Sequence, residues 1–412
     1  MTMAADKQDK VLNVPTLRFP EFTDEWELHL TTDFFEFKNG LNPDSKRFGS
    51  GTKFISVMDI LNNRYITYDK IKAFVEPKGN DLNEFGVNYG DVLFQRSSET
   101  LEDVGRANVY LDKKTALFGG FVIRGKKIGE YNPLFFRYLL SSPHARKRIV
   151  VKGAGAQHFN IGQDGLSKIS IFVPTTKEQE RIAKLLDFID ERIETQNRII
   201  DKLQSLMKGL NDYLQDSVPL SYSLSFSDIG EDYSGLSGKS AEDFGSGKPY
   251  ITYVSIYSNN FVEDDCCGKV SVKRDEKQNV VQKGDMLFTL SSETPEEVCY
   301  GAVYSGNSTE TYLNSFCFGV RNSDGKVFSP YMAYFFNSNR FRREVYPLAQ
   351  GSTRFNLQKS DFLQKHFSYP SIDDQHRIFE ILNAYDNKLK VENQILVHYQ
   401  HQKEFLLRNL FI

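Results

Sequence analysis

Polar side chains follow the five-residue motif Gly-Asp-x-Leu-Phe at two places in the chain. Gly90-Asp91-Val92-Leu93-Phe94 and Gly284-Asp285-Met286-Leu287-Phe288 are each followed, two residues later, by Ser-Ser-Glu-Thr. Side chains with donors and acceptors on loops can hydrogen-bond to base edges, while neighbouring cations hold phosphate. A strand end followed by an ordinary turn is the structural alternative. The candidate contacts in this region are Gln95, Arg96, Ser97, Ser98 and Arg106, and then Thr289, Ser291, Ser292 and Tyr300.

A glycine-containing loop that ends in Phe-Asn also occurs twice. It runs from Lys152 to Asn160 and again from Gln350 to Asn356. Glycine lets the backbone approach another surface closely, and amide and guanidinium groups can bond to base edges. The alternative is a plain glycine-rich turn whose phenylalanine packs inward. The candidate contacts here are Lys152, Gln157, His158 and Asn160, and then Ser352, Thr353, Arg354 and Asn356.

Basic residues precede this loop in both places, late in a predicted helix. Such residues can contact phosphate, although cations near a helix C-terminus are also favoured by the helix dipole. The members of this group are Arg146, Lys147, Arg148 and Lys152, and then Arg340, Arg342 and Arg343.

Known catalytic motifs are met only in part. Asn132-Pro133-Leu134-Phe135 lacks the second proline of a methyltransferase word, and Gly238-Lys239-Ser240 lacks the upstream glycine of a phosphate-binding loop. Pro43-Asp44 with Glu76-Pro77-Lys78 resembles a nuclease motif, but its internal proline removes an N–H that a central strand needs. The second copy has no counterpart of it. We therefore expect no catalytic residues on this chain.

Metal-binding patterns are equally weak. His398 and His401 are three residues apart, without a further His or Cys pair nearby, and are interpreted as exposed helix positions. The four cysteines form no C-x-x-C pair, so we expect no metal site. Their clustering in the second half argues against a disulfide framework and favours a reducing cytoplasm.

These motifs recur because the chain is a tandem duplication of about 196 residues. Five short sequence motifs recur in the same order, each 194 to 196 residues after its first occurrence, which chance does not produce. They include Phe48-Gly49-Ser50-Gly51 with Phe244-Gly245-Ser246-Gly247. Small changes of shift indicate short insertions in loops.

Each copy divides into a mixed part and a helical part. We predict a flexible N-terminus over residues 1–14, domains over 15–175 and 215–371, and long helices over 176–214 and 372–412. Short β-like runs bounded by Gly, Pro, Asn and Asp, with one helix per copy, indicate α+β domains. The predicted strands are Lys53 to Ile60, Val92 to Phe94, Phe121 to Arg124 and Tyr250 to Ile256, and the predicted helices are Pro133 to Val150 and Pro330 to Tyr346.

Apolar residues in the helical parts follow the 3-4 spacing of a coiled-coil seam. Ordinary helices lying on their own domains are the alternative. In the second helix Lys403 is the one seam position that is neither apolar nor aromatic, apart from the polar layer of Gln196 and Glu392 that both helices share. The predicted seam consists of Ile182, Leu186, Ile189, Ile193, Gln196, Ile200 and Leu203, and then Ile378, Leu382, Tyr385, Leu389, Glu392, Leu396 and Tyr399.

Connectivity predicts how the two helices pair. The first leaves one domain and enters the other, so the second must run back antiparallel to bury its seam against the first. About 38 helical residues span roughly 57 Å. The fold class expected is α+β, with two similar domains separated by two long antiparallel coiled-coil helices and related by an internal pseudo-two-fold.

These features resemble the specificity subunit of type I restriction–modification systems. The family pattern Pro…Glu-Gln…Ile…Leu…Asp stands here twice, with Asp374 where the family usually has Glu. The opening Pro15-Thr16-Leu17-Arg18-Phe19, Trp26 and the Gly-Asp-x-Leu-Phe words also resemble this family. The matching positions are Pro174, Glu178, Gln179, Ile182, Leu185 and Asp190, and then Pro370, Asp374, Gln375, Ile378, Ile381 and Asp386.

The resemblance implies two target-recognition domains that each read half of a split DNA sequence, with the helices setting the unread gap. It implies partners as well: double-stranded DNA, two modification subunits that bring S-adenosylmethionine and methylate adenine, and a motor-nuclease subunit. The chain itself would carry no cofactor and would not be an enzyme.

Composition leaves other interpretations open. Hydrophobic residues at 40% and charged residues at 25% are typical of a soluble globular protein, but the formal charge of −3 does not by itself indicate a nucleic-acid binder. A structural adaptor without DNA binding is one alternative. A self-contained restriction enzyme is another, although no residues remain to house its catalytic domains.

Overall fold

The computed structural model describes residues 13–155 and 157–412, so the N-terminal segment expected to be flexible lies mostly outside the described residues. Contacts divide the chain into two compact units. The first comprises Met1–Asn197, as far as it is described, with Gln394–Ile412, and the second comprises Arg198–Asn393. In the described residues no helix is both long and apolar enough to cross a membrane.

The first unit contains eleven described strands and five short helices before the first long helix. The strands are β1 (Glu27–Leu30), β2 (Phe35–Asn39), β3 (Phe48–Ile55), β4 (Phe74–Val75), β5 (Val92–Gln95), β6 (Ser97–Ser98), β7 (Ala107–Val109), β8 (Leu117–Phe118), β9 (Val122–Lys127), β10 (Phe159–Asn160) and β11 (Ser170–Val173). The helices are α1 (Val57–Asn62), α2 (Asp81–Phe85), α3 (Pro133–Ser141), α4 (Pro143–Val150) and α5 (Gln163–Ser167).

An antiparallel sheet in the order β2-β9-β5-β7 lies at the centre of this unit. A smaller sheet in the order β4-β3-β8 contains one parallel pair, and β1 with β11 and β6 with β10 form two antiparallel ribbons. Aromatic residues fill the core, among them Trp26, Phe35, Phe94 and Phe136. The central strand β5 is buried along its whole length, so the residues that follow it start from a rigid position.

The long helix α6 (Thr176–Ser217) begins in the first unit and ends in the second. The other elements of the second unit repeat the first, with a few additions. The strands are β12 (Leu220–Ser225), β13 (Gly230–Ser234), β14 (Phe244–Ile251), β15 (Phe261–Val262), β16 (Cys267–Val270), β17 (Met286–Thr289), β18 (Ser291–Ser292), β19 (Gly301–Tyr304), β20 (Tyr312–Leu313), β21 (Cys317–Asn322), β22 (Ala349–Gln350), β23 (Phe355–Leu357) and β24 (His366–Pro370). The helices are α7 (Phe226–Ile229), α8 (Tyr253–Ser258), α9 (Ser329–Phe335), α10 (Asn339–Val345), α11 (Lys359–Gln364) and the second long helix α12 (Ile372–Asn409).

The sheets of the second unit follow the same plan. The central order is β13-β21-β17-β19-β15, with β15 added in parallel to β19, and the smaller sheet is β16-β14-β20. Strand β12 pairs with β24, and β18 pairs with β23. The predicted duplication is therefore confirmed by matched topology in the two units.

Two of the predicted helices are wrong because each is broken into two. The segment predicted as one helix from Pro133 to Val150 is α3 and α4, because Pro143 has no N–H and Ser142 caps the new start by accepting from the N–H of Ala145 (3.2 Å). In the second unit the helix is interrupted between α9 and α10, where Ser338 caps the start of α10 by accepting from the N–H of Phe341 (3.2 Å).

The strands predicted over Lys53 to Ile60 and Tyr250 to Ile256 are also wrong beyond Ile55 and Ile251. Strand β3 ends at Ile55 and helix α1 follows, because Ser56 and Asp59 form a capping box in which the Ser56 N–H donates to the Asp59 carboxylate at 2.7 Å. In the second unit the hydroxyl of Thr252 caps α8 directly, accepting from the N–H of Ser255 (3.1 Å). Apolar runs of this length do not distinguish strand from helix.

Both long helices are present at close to the predicted bounds. In the first unit the start of α6 and the end of α12 share one core, which contains Ile182, Leu186 and Leu406. In the second unit the end of α6 and the start of α12 share another, which contains Ile378 and Leu382. The two helices are therefore antiparallel within each unit, which confirms that part of the predicted fold.

Candidate nucleic-acid interface

The Gly-Asp word positions the end of the central strand in both units. The Asp91 carboxylate accepts from the backbone N–H groups of Asn88 and Lys127, both at 2.9 Å, and thereby ties the start of β5 to its neighbours. Asp285 occupies the matching position, where it accepts from the N–H of Gln282 (2.8 Å) and from the Tyr233 hydroxyl (2.6 Å). The aspartates are thus structural, and the polar residues that follow them are held in place.

The structure brings the first two candidate regions together. Ser97 pairs with Asn160 across β6 and β10, and the Ser97 hydroxyl donates to the Asn160 side-chain oxygen although 63 residues separate them. In the second unit Ser291 pairs with Asn356 across β18 and β23. Each unit therefore has one polar corner built from the strand end and the glycine loop. We call these the first and second polar corners.

Matched glycines close the loop in each corner. Gly155 (φ +148°) and Gly351 (φ +137°) have conformations that L side chains rarely adopt. A Cβ on Gly155 would lie 1.9 Å from the His158 carbonyl oxygen, and one on Gly351 would lie 2.0 Å from that of Arg354. The close approach that these glycines permit is to their own loop.

Exposure divides the candidate contacts into three groups. The buried members, Gln95, Thr289 and Ser292, bond within their own corner; Gln95, for example, donates to the Ser97 carbonyl at 2.8 Å. Arg96, Ser97, Ser98, Ser291 and Tyr300 are half-buried. The exposed members, which can reach a ligand without rearrangement, are Arg106, Lys147, Lys152, Gln157, His158 and Asn160, and then Arg343, Ser352, Thr353, Arg354 and Asn356.

Two matched arginines of the basic group use their donors inside the domain. Arg146 donates to the carbonyls of Glu102 (2.8 Å) and Val104 (2.7 Å), and burial lowers the pKa of Arg146 to about 10. Arg342 donates to three carbonyls, including that of Cys299 at 2.8 Å, and burial lowers the pKa of Arg342 as well. Both hold the loop after the polar corner.

Two further arginines bond to the strand before the long helix. Arg148 donates to the carbonyl of Ser170 at 3.1 Å, and Arg340 donates to that of Ser368 at 3.1 Å. The matched pair Lys147 and Arg343, by contrast, is exposed. Of the basic residues late in these helices, this pair is the one best placed for phosphate.

The aromatic and acidic residues of the second polar corner were not among the predicted contacts. A cavity of about 560 Å³ opens there, with Ser291 and Arg354 in its wall. Its other lining residues are Tyr253, Tyr257, Ser292, Glu293, Glu297, Asn314 and Phe316. A signal for the aromatic residues was present in the sequence, because Phe121 and Phe316 are 195 residues apart and so occupy matching positions in the two copies.

The Glu-Gln pair at the start of α6 locks this helix to its domain. The Glu178 carboxylate, only 1% exposed, accepts two hydrogen bonds from Arg18 at 2.8 Å and one from the Trp26 indole at 3.3 Å. Gln179 accepts from the Asn132 N–H at 2.9 Å, and it donates to the carbonyl of the preceding proline at 2.9 Å.

The second copy keeps the glutamine contacts and changes the acidic one. Gln375 accepts from the Phe328 N–H at 2.8 Å and donates to the preceding proline carbonyl at 3.0 Å. The shorter Asp374 instead accepts from the Ser371 hydroxyl (2.7 Å) and pairs with Arg377 at the helix start. Asp374 in place of the family's Glu therefore replaces hydrogen bonds to distant residues with local contacts at the start of the helix.

Burial along the long helices follows the predicted seam, with graded exposure. Ile182, Leu186, Ile189, Gln196, Ile200, Ile378, Leu382 and Glu392 are buried, and Ile193, Leu203, Leu389, Leu396 and Tyr399 are half-buried. Tyr385 differs, with 40% of its surface exposed, in keeping with a ring that has a polar tip.

Comparison with known proteins identifies what the chain is similar to. The family model described as "Type I restriction modification DNA specificity domain" matches twice, over residues 23–205 and 227–398. The MjaVIII type I restriction enzyme specificity subunit of Methanocaldococcus jannaschii is 23% identical over 425 residues, covering 94% of this chain and 92% of that protein. The putative MjaX specificity subunit of the same organism is 26% identical over 197 residues, but this chain spans only 45% of its length.

Solved structures share the fold at low identity. The type I restriction–modification S subunit from M. genitalium has a TM-score of 0.53 at 15% identity and covers 97% of this chain and 99% of its own. A structure described as the basis of complex assembly and conformational transition of the type I R–M system has a TM-score of 0.59 at 13% identity, covering 93% and 96%.

Proposed function

The chain belongs to the type I restriction modification DNA specificity family, and on this premise we propose that it reads a split DNA target, one half with each domain. Family membership makes it a specificity subunit with two target-recognition domains, a non-catalytic role. The bipartite target and the gap set by α6 and α12 are our proposal. The antiparallel pairing of these helices supports it, because a paired helix is a stiff spacer.

One observation carries the proposal: the two polar corners share a framework but differ in their exposed side chains. His158 and Arg354 stand at the same position of the loop, as do Gln157 and Thr353. Their donors and acceptors differ, so they match different base-edge patterns in the major groove. We therefore expect the two halves of the target to differ in sequence.

We further propose that the active complex adds modification subunits, two of them, that bind S-adenosylmethionine and methylate adenine, and a motor-nuclease subunit for cleavage. Exposed apolar side chains on the long helices, such as Phe188, Leu206 and Phe405, support docking of partner proteins there. We place the complex in the cytoplasm, where four free thiols, two of them buried, are kept reduced.

Methylome sequencing of a host with and without this gene tests the proposal. We expect adenine methylation at one split motif, present only with the gene. Methylation that is unchanged between the two hosts, or that occurs at a continuous motif, would contradict it.

A matched pair of variants tests the division between the domains. Arg354→Ala should weaken recognition of one half-site and leave the other unchanged, and His158→Ala should do the reverse. Binding of the holo-methyltransferase to targets mutated in one half at a time provides the measurement. Equal loss at both halves would refute the assignment.

A further inference from the structure

Two phenylalanine rings are exposed at matched positions beside the polar corners. Phe121 has 70% and Phe316 has 60% of its surface exposed, and both follow β8 or its counterpart β20 by the same number of residues. A single exposed apolar side chain is common on protein surfaces. Here the ring is kept in both repeats while the two preceding residues change from Gly119-Gly120 to Asn314-Ser315.

The backbone of each phenylalanine is bonded to the residue before the paired serines. The N–H of Arg96 donates to the Phe121 carbonyl at 2.9 Å, and the N–H of Leu290 donates to the Phe316 carbonyl at 2.9 Å. A tight turn fixes the segment from the other side, with Val122 N–H bonded to Gly119 and Cys317 N–H bonded to Asn314. The rings are therefore presented by rigid backbone.

Neither ring belongs to a hydrophobic core of its domain. Within residues 13–155 and 157–412, Phe121 and Phe316 lie outside the hydrophobic core clusters and make no ring–ring contact. Leaving a phenyl group in water forgoes roughly 2 kcal/mol of burial. Stability of the domain therefore does not explain why both rings point outward.

The second ring opens onto the hydrogen-bonding groups of its corner. Phe316, Ser291 and Arg354 line the same cavity of about 560 Å³. In the first unit the Arg96 guanidinium donates to the carbonyl of Gly120, beside Phe121, at 3.3 Å. An apolar ring next to fixed donors and acceptors is suited to a ligand that is flat, apolar on its faces and polar at its edges.

We propose that Phe121 and Phe316 each contact a base in the half-site read by their own domain. This inference rests on the proposed function. The phenyl ring supplies an apolar contact, such as that to a thymine methyl group, while the polar corner supplies the hydrogen bonds. Because the ring carries no charge, its contribution is to sequence discrimination and not to phosphate binding.

The variants Phe316→Ala and Phe121→Ala test the inference in the holo-methyltransferase. We expect each to weaken binding to the cognate duplex roughly 10- to 100-fold while affinity for random DNA and the salt dependence stay unchanged. A mutation in one half of the DNA target should no longer weaken binding in the variant whose own domain reads that half. The same mutation should still weaken binding in the other variant. The two variants thus serve as controls for each other, and circular dichroism checks that each has folded.

Phe316→Leu keeps an apolar side chain and should retain most of the discrimination. Equal weakening of binding to cognate and random DNA, or no change in either, would overturn the inference.

Arg354→Ala then separates the two proposals. If this variant still loses recognition of one half-site, reading by the polar corner stands and only the role of the rings fails. If the wild-type protein has no preference for a split motif, the proposed function fails.

Discussion

The Lys403 ammonium lies 2.6 Å from the Asp190 carboxylate, so the one basic seam position of α12 is paired with an aspartate of α6 in the first unit. The same carboxylate accepts from the Tyr138 hydroxyl at 2.9 Å and from Arg137 at 3.1 Å. Asp190 belongs to the family pattern, and its role here is to join both long helices to the domain.

Lys403→Met should therefore weaken the first unit. The matching residue of the second unit is Met207, so the new side chain suits a helix seam. We expect a loss of about 1–2 kcal/mol in the free energy of unfolding, because a nearly buried carboxylate loses one of its two cations. Urea denaturation measures the change. Lys184→Met, at an exposed position of α6, is the control, and an equal effect of both would contradict the role of the pair.

The second unit keeps the tyrosine but has no counterpart of Arg137 or Lys403, which predicts opposite effects of neutralising the two aspartates. Burial would raise the pKa of Asp190, but the charges of Arg137 and Lys403 outweigh it and hold this pKa below its ordinary value. Burial raises the pKa of Asp386, and this effect outweighs the hydrogen bond from the Tyr334 hydroxyl (3.1 Å) and the charge of Lys390, which both lower it.

The sign of each contribution follows from linkage. Asp190 stabilises the fold above its ordinary pKa and loses this effect as the pH falls through the lower, folded value. Asp386 opposes folding above its raised pKa, and this cost disappears as the pH falls toward its ordinary value. At pH 7, Asp190→Asn should cost roughly 3 kcal/mol. Asp386→Asn should leave the thermal midpoint equal or higher, and a clear loss there would contradict the prediction.

The neighbouring basic residues should separate into structural and phosphate-binding roles. Arg146→Ala should destabilise the first domain, because Arg146 holds two backbone carbonyls. Lys147→Ala should leave stability unchanged and reduce the slope of log K against log salt by about one. Arg342→Ala and Arg343→Ala repeat the comparison in the second domain. DNA titrations at several salt concentrations, with thermal melts, distinguish the roles, and a reversed pattern would refute them.

Two glycine-to-alanine variants should have opposite signs. Gly105 has a φ of +68°, and a Cβ there would lie 2.6 Å from a methyl group of Ile149, so Gly105→Ala should cost about 1–3 kcal/mol. Gly209 lies within α6 with nothing within 4 Å of its Cβ position, so Gly209→Ala should stabilise by about 0.5–1 kcal/mol. Denaturation curves that place both changes on the same side would contradict this interpretation.

The periodicity and the repetition of the sequence correctly predicted the two long helices and the duplicated domains. Heptad spacing predicted α6 and α12 because a helix seam depends only on local spacing along one chain. The single helix predicted over Pro133 to Val150 was wrong, since the local effect of Pro143 and its cap outweighed the apolar pattern. The DNA contacts remain predictions, although exposure now favours Lys147 and Arg354 over Arg146 and Arg342.

The amino-acid sequence by itself determined the duplication, the α+β character of each copy, the two long helices and the family pattern, because these depend on residue order and spacing. Only the tertiary structure decided which candidates share a corner, which arginines are used internally and which rings stay exposed. Ser97 and Asn160 are 63 residues apart, and their contact depends on a strand pairing that no local pattern encodes. Burial and hydrogen bonding are properties of the packed domain, and so they cannot be read from the order of residues alone.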